Sequence, residues 1–286
     1  MTWAYDGWGD RSSQRISEGS LEWPQDAYSF SANNQIEQDS YDAAGNETYD
    51  GFHTYAYDDE GRIAAVDGGG TAQYVYDADG LRVHKTGGEG PEDFVYDLGG
   101  RAVATYSSTN GGWVRGEIYA GAMHVGTYGN STTYFSSTDW QGTERVRSDV
   151  NGNSVESCSD LAFGDDQNCT GSDPSPLHLT GKMRDTETGL DYFGARYYAS
   201  NAGRWMLPDW SAVPEPVPYA DLSNPQTLNL YTYVGNNPIN GIDADGHSSD
   251  GNNGQPCGWY GTTGSAPGSV VTPAQVPCSA PDNGPY

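Results

Sequence analysis

Lysine is almost missing from this chain: Lys85 and Lys182 are the only two, and Lys and Arg together number 13 against 39 Asp and Glu. The formal charge of -26 at pH 7 argues against a nucleic acid or an anionic membrane surface as partner, because both are held largely through cationic side chains. No apolar run reaches the roughly 18 residues that a membrane-spanning helix needs, and no secretion signal stands at Met1. Histidines do not cluster, and the four cysteines lack metal-ligand spacing, which removes the common zinc patterns. Neither a metal nor a cofactor is expected. Long helices are missing as well. No window keeps a helical apolar period beyond two or three turns, while 39 Gly and 16 Pro favour short strands and turns.

What the chain does have is a recurring Tyr-Asp dipeptide, at Tyr5-Asp6, Tyr41-Asp42, Tyr57-Asp58, Tyr76-Asp77 and Tyr96-Asp97. The last four of these copies are 16, 19 and 20 residues apart, with a further Tyr49-Asp50 between the first two of them, and the period points to stacked small units burying their faces on one another. Within a unit such as Tyr55-Ala-Tyr57-Asp58-Asp-Glu-Gly61-Arg62-Ile63, aromatics at i and i+2 lie on one face of a strand. The Asp hydrogen-bonds the backbone of the following turn, and Gly or Asn supplies a positive φ. This is a repeated hairpin. Asp as the repeat's turn residue also explains the acidity more simply than salt adaptation does.

Along the chain, residues 1–106 read as the repeat array and residues 107–176 as a continuing strand-and-turn region. The stretch around 165–176 reads as a polar surface loop. Residues 177–247 hold the densest aromatic and Arg content, with one short helix expected near Leu228–Val234. From Ser248 to Tyr286 the composition collapses into Gly, Ser, Pro and Asn, a tail unable to bury a core by itself. The fold class expected is all-β: a twisted antiparallel sheet of hairpins running into a compact, aromatic-rich plug. Met1 opens directly into a repeat, so a fragment with further repeats upstream is expected. Cys158 with Cys169, and Cys257 with Cys278, form two local pairs. They suit small disulfide loops of an exported or cell-surface protein, with free thiols as the other reading. Asp149-Val-Asn151-Gly-Asn153 and Asp243-Ala-Asp245-Gly246 hint at calcium loops, but neither continues into an EF-hand pattern, and Asx turns are the simpler reading.

Specific motifs begin at Gly181-Lys-Met-Arg184-Asp185 and continue through Gly189-Leu190-Asp-Tyr192-Phe-Gly194-Ala-Arg196-Tyr197-Tyr198. Gly203-Arg204-Trp205-Met-Leu-Pro208-Asp209 follows, then Asn229-Leu-Tyr231-Thr-Tyr233-Val-Gly-Asn236-Asn237-Pro238 and Asp243-Ala-Asp245-Gly246. With Thr138-Asp139-Trp140-Gln-Gly142 and Leu161-Ala-Phe163-Gly164 upstream, the order resembles the RHS repeat-associated core, and with the repeats the resemblance covers roughly residues 1–247. In that family, which includes bacterial polymorphic toxins, the C component of insecticidal toxin complexes and the distant teneurins, YD repeats wind into a hollow shell. The core closes one end as a plug. Bacterial plugs are similar to an aspartyl protease that cuts its own chain and frees an enclosed C-terminal segment. The resemblance implies Arg196, Asp209 and Asp243 as the charged residues of that chemistry, with the cut at His247–Ser248. Ala244 and His247 depart from the family's usual proline and leucine. Arg184 and Asp185 are read as a supporting ion pair in the plug.

That chemistry is sound on its own terms. Two close carboxylates cannot both ionise easily, so one can activate water while the other donates a proton to the scissile carbonyl, and an Arg can fix one of them. Asp243 lies four residues before the bond, which makes a reaction in cis feasible without a substrate cleft. Partners implied are the chain's own C-terminal segment as cargo and further upstream repeats. Ordinary turn chemistry is the plain reading of the same residues. The rival function is a non-catalytic structural or adhesive surface protein, with Trp3, Trp8 and Trp23 stacking on glycans. A hydrolase acting in trans is a third, for which no spacing singles out a carboxylate pair.

Overall fold

The computed structural model describes residues 1–17, 27–88, 90–171, 175–210, 217 and 222–247. Two small antiparallel hairpins come first: β1 (Thr2–Tyr5) with β2 (Arg11–Arg15), then β3 (Ser40–Tyr41) with β4 (Glu47–Tyr49). A twelve-stranded antiparallel meander follows, in which each strand pairs with the next in chain order. Its first six strands are β5 (Tyr55–Tyr57), β6 (Ile63–Val66), β7 (Ala72–Tyr76), β8 (Arg82–Thr86), β9 (Glu92–Tyr96) and β10 (Ala102–Ser107). The rest are β11 (Trp113–Ala120), β12 (Met123–Gly129), β13 (Thr132–Thr138), β14 (Glu144–Ser148), β15 (Ser154–Ser159) and β16 (Asn168–Gly171). A separate four-stranded sheet holds the last strands: β17 (Met183–Asp185), β18 (Leu190–Tyr192), β19 (Tyr197–Ala199) and β20 (Arg204–Trp205). Among the described residues the helical pieces are 3₁₀ turns of three or four residues. The chain is therefore all-β.

One turn design builds the meander. Asp58 Oδ1 accepts from the backbone N–H of Glu60 at 3.0 Å and of Arg62 at 2.9 Å, while Gly61 sits at φ 78°. The same two acceptances recur at Asp42, Asp77 and Asp97, and at Asp139 and Asp149, where the Tyr is gone but the Asp remains. Asp149 is thereby an Asx turn, with Asn153 Nδ2 on its second oxygen at 2.9 Å. The ladder shifts register at the residue before each such Asp, at Tyr5, Tyr41, Tyr57 and Tyr76, and bulges of this kind add twist to a sheet.

The first aromatic of each unit goes inward: Tyr55, Tyr74 and Phe94 are buried. Tyr55 and Tyr74 meet one face of the small sheet, where Leu190, Tyr192, Tyr197 and Met206 complete the cluster, while Phe94 lies under the Arg82 guanidinium. The opposite face carries Phe193, Tyr198 and Trp205 against Leu179, Tyr233 and Val234. So the small sheet is a central layer between the meander and the last described segment. Its tie to the meander is ionic as well as apolar. Buried Arg82 donates to Asp185 at 2.5 Å and lies 4.5 Å from the Tyr192 ring, while Lys85 reaches Asp185 and Glu187 at 3.3 and 3.4 Å.

Three expectations change. Residues 168–171 are an edge strand, with Cys158 paired to Cys169 in the ladder and bonded to it; the strand is exposed on both faces, so its sequence carries no apolar alternation to read. The helix expected near Leu228–Val234 is two separate 3₁₀ turns, Pro225–Leu228 and Tyr233–Asn236. Between them, Leu230 and Tyr231 give their carbonyls to Asp209 and Trp205, and Val234, Gly235 and Asn236 have positive φ, so a continuous helix is ruled out. Arg184 and Asp185 are not partners: neighbours on a strand point to opposite faces. Arg184 pairs with Asp191 at 3.0 Å on one side, and Asp185 meets Arg82 and Lys85 on the other. Trp23, Ser248, Cys257 and Cys278 lie outside the described residues.

Candidate active site

Arg196 ends the tight turn between β18 and β19, where Phe193 N–H donates to the Arg196 carbonyl at 3.0 Å. Asp209 comes from the segment after β20, pinned by its N–H to the Leu230 carbonyl at 3.0 Å. Asp243 heads the final described turn, its Oδ1 accepting from Gly246 N–H at 2.8 Å and Asp245 N–H at 3.3 Å. That turn is held down by the Ala195 N–H on the Asp245 carbonyl (3.1 Å) and by Lys182 Nζ on the Ala244 carbonyl (2.5 Å). Gly246 is required here: at φ 88°, a Cβ would lie 3.1 Å from both the Arg196 nitrogen and the Phe193 Cβ.

The three charged residues converge. Arg196 Nη2 donates to Asp209 Oδ2 at 3.0 Å and lies 3.4 Å from Asp243 Oδ2. The same nitrogen donates to the His247 carbonyl oxygen, while Nε donates to the Gly246 carbonyl and Nη1 to the Leu230 carbonyl at 3.2 Å. Beneath the guanidinium, its carbon lies 4.2 Å from the Trp205 ring centroid. Arg196 and Asp243 are 2% and 1% exposed, and the Asp209 side chain 10%. Asp243 therefore has little water around it. Burial first of all pushes its carboxyl up to about 6; Arg196 opposes the shift, and the negative charges of Asp245 and Asp209 add to it. Burial also lowers Arg196, against the hold of Asp209 and Asp243, although a guanidinium stays charged in a protein. Asp209 borders a cleft of about 720 Å³ lined also by Tyr55, Asp58, Pro208 and Trp210.

Chemically, the arrangement puts one buried cation on two carboxylates and on the carbonyl of His247. One of those carboxylates has its pKa shifted towards neutrality, which is the setting general acid–base work requires. The Asp243–Gly246 segment is an Asx turn whose second carboxylate oxygen faces Arg196, which leaves the calcium reading without its ligand. Glu156, Cys158 and Cys169 cluster closely enough for an ion, but a disulfide has no thiolate to offer. Arg184 and Asp185 stand apart from the site. Sequence reasoning passed over Trp205, Lys182, Trp210 and the Leu230 carbonyl. Trp205, Lys182 and Leu230 all lie within the RHS-core motifs; Trp210 gave no signal. Of the Trp residues that the rival reading sets on glycans, Trp3 is partly buried, its Nε1 on Gln14 at 2.6 Å and its ring edge-on to Phe163, whereas Trp8 is 75% exposed.

The fold and site define a class: hairpins of a β-shell wall, bearing a small plug sheet with an Arg–Asp–Asp cluster. Comparison with known proteins agrees. The family profile described as Teneurin YD-shell matches residues 121–239. The tRNA3(Ser)-specific nuclease WapA of Bacillus spizizenii is 30% identical over 261 residues, 86% of this chain and 11% of the relative. Toxin subunit YenC2 of Yersinia entomophaga is 45% identical over 70 residues, 24% of this chain and 6% of that protein. Among solved structures, the Photorhabdus luminescens Tc holotoxin pore with a TccC3 Asp-to-Ala mutation aligns at TM-score 0.66 and 20% identity, over 86% of this chain and 13% of that one. The TcdB2–TccC3–Cdc42 structure aligns at TM-score 0.57 and 18% identity, over 86% and 15%. This chain belongs to the RHS/YD-repeat shell family. It spans about a tenth of the length of the curated relatives it matches.

Proposed function

We propose that residues 1–247 are the C-terminal cap of an RHS/YD encapsulating shell that cuts its own chain after His247, releasing the segment beginning at Ser248. One observation carries the reading: a single nitrogen of Arg196 joins Asp209, Asp243 and the His247 carbonyl. In the proposed reaction Asp209, ion-paired with Arg196, is the base and Asp243 the acid. Asp209 takes a proton from water as the oxygen attacks the His247 carbonyl carbon. Asp243 protonates the carbonyl oxygen, and Arg196 stabilises charge there. Collapse of the tetrahedral diol expels the Ser248 amine, which takes a proton from Asp209. One water is consumed, and a carboxylic acid and an amine result. Asp243 recovers its proton from the collapsing diol.

The shell assignment rests on the hairpin meander and on the family relationship, and the cargo would be the chain's own downstream segment. Further repeats would complete the wall. Relatives named as toxins and nucleases support an exported toxin as the context. The test is expression of the full chain with gel analysis. Wild type should lose the segment after His247, and Asp209→Asn and Asp243→Asn should each slow that loss by roughly 100-fold or more. An uncut chain in all three would leave a structural shell. Glycan binding lost on Trp8→Ala, alongside an uncut chain, would favour the adhesive alternative.

A further inference from the structure

The side chain of His247 has no part in the chemistry above, yet it points at it. Its Nδ1 lies 3.7 Å from Asp209 Oδ1, the carboxylate oxygen that Arg196 does not hold. The imidazole is set edge-on to Trp210, ring centroids 4.5 Å apart at 83°. Trp210 N–H donates to the same Asp209 oxygen at 2.8 Å. The backbone is fixed at both ends of the residue: His247 N–H donates to Asp245 Oδ1 at 3.1 Å, and its carbonyl accepts from Arg196 Nη2. The ring is thus seated against one face of the candidate base, with its side chain 24% exposed and in reach of solvent protons.

We propose that His247 is a positioning residue that makes self-cleavage conditional on its own protonation state. The inference rests on the proposed cleavage reading. A neutral imidazole packs on Trp210 and leaves Asp209 Oδ1, which already accepts from the Trp210 backbone N–H, its other lone pair for a proton from water. An imidazolium 3.7 Å from that oxygen would close the gap, donate to it, and occupy the lone pair the base needs. No covalent step is added. The charged and titratable groups facing the ring are Asp209 beside it, Asp245 on its N–H, and Arg196 with Asp243 behind its carbonyl. Only an imidazole changes charge readily between pH 5 and 8 without special surroundings. Acidification would therefore act in two opposite directions, filling Asp243 with its proton while blocking Asp209.

The experiment is cell-free synthesis of the full chain, followed by a chase at pH 5.5, 6.5 and 7.5, comparing wild type with His247→Leu and His247→Gln. Both variants keep the backbone contacts and remove the titrating ring. The expected result is that the cleavage rate of either variant, divided by that of wild type, rises at least threefold from pH 7.5 to pH 5.5. A ratio that stays flat across pH in both variants, with cleavage intact, overturns the inference and leaves the Asp209–Asp243 reading standing. A chain uncut at every pH in all three removes both. Should Leu fold poorly, Gln alone decides, since a purely structural role would slow cleavage by the same factor at every pH.

Discussion

Arg196 is asked to neutralise more than one charge from inside the protein. With Asp209 and Asp243 both ionised, the cluster would carry an excess negative charge at a site nearly closed to water, and the lifted pKa of Asp243 is how that tension is relieved. The sign of the consequence is fixed. The folded protein keeps a proton on Asp243 that the unfolded chain has already lost, so Asp243 favours the fold below about pH 4 and this contribution fades as pH rises through about 6. A shift from 3.8 to about 6 corresponds to about 3 kcal/mol. Denaturation of Asp209→Asn protein and of the Asp209→Asn/Asp243→Asn double variant between pH 4 and 8 should therefore diverge, the single variant losing stability with rising pH by up to that amount relative to the double. Parallel curves would place Asp243 in a wetter setting than its 1% exposure implies. Replacing Arg196 is harsher. Arg196→Ala leaves Asp243 buried without its cation and should cost about 3–5 kcal/mol. Arg196→Lys keeps the charge but cannot serve Asp209, the Leu230 carbonyl and the Gly246 carbonyl from one planar fork. It should fold, by circular dichroism, while cutting slowly.

At the scale of elements, the plug sheet holds its place through a clasp as well as a core. Arg82 and Lys85 on β8 meet Asp185 at the end of β17 and Glu187 just beyond it, all largely buried. Buried pairs punish the loss of one partner more than of both. Asp185→Asn should lower stability by about 3–5 kcal/mol and loosen the plug, read as faster amide exchange in β17–β19; loss confined to β8 would place the clasp's role in the meander alone. At the far edge, the Cys158–Cys169 bond ties β15 to β16, which has no strand neighbour on its other side among the described residues. Closing so short a loop is worth about 3 kcal/mol on loop-entropy grounds. Reduction should fray β16 in hydrogen exchange and leave β5–β9 unchanged. These elements also mark how far the sequence could be read. The Tyr-Asp-x-x-Gly turns were visible because the Asp carboxylate, the Gly φ and the i, i+2 aromatics are all local. The edge strand at 168–171 was hidden because neither face is buried. The broken helix near Leu228–Val234 was hidden because distant backbone, at Trp205 and Asp209, claims its carbonyls.

For the whole molecule, the spacing that matters is between residues far apart in sequence. Arg196, Asp209 and Asp243 could be singled out from the RHS-core motifs, but their meeting on one nitrogen depends on the central plug layer and on the Gly246 turn packing over Phe193. The contributions of Trp205, Lys182 and the Leu230 carbonyl belong to that packing, and their roles cannot be read from their local sequence. The hairpin meander gives the wall, the plug sheet covers it, and the last described turn delivers the His247 carbonyl to the cation.

The most direct measurement is the intact mass of the full-length chain after expression and purification under denaturing conditions. The account predicts two species, one ending at His247 and one beginning at Ser248, differing in summed mass from the uncut chain by one water. A single uncut species, or a cut at any other bond, would contradict it.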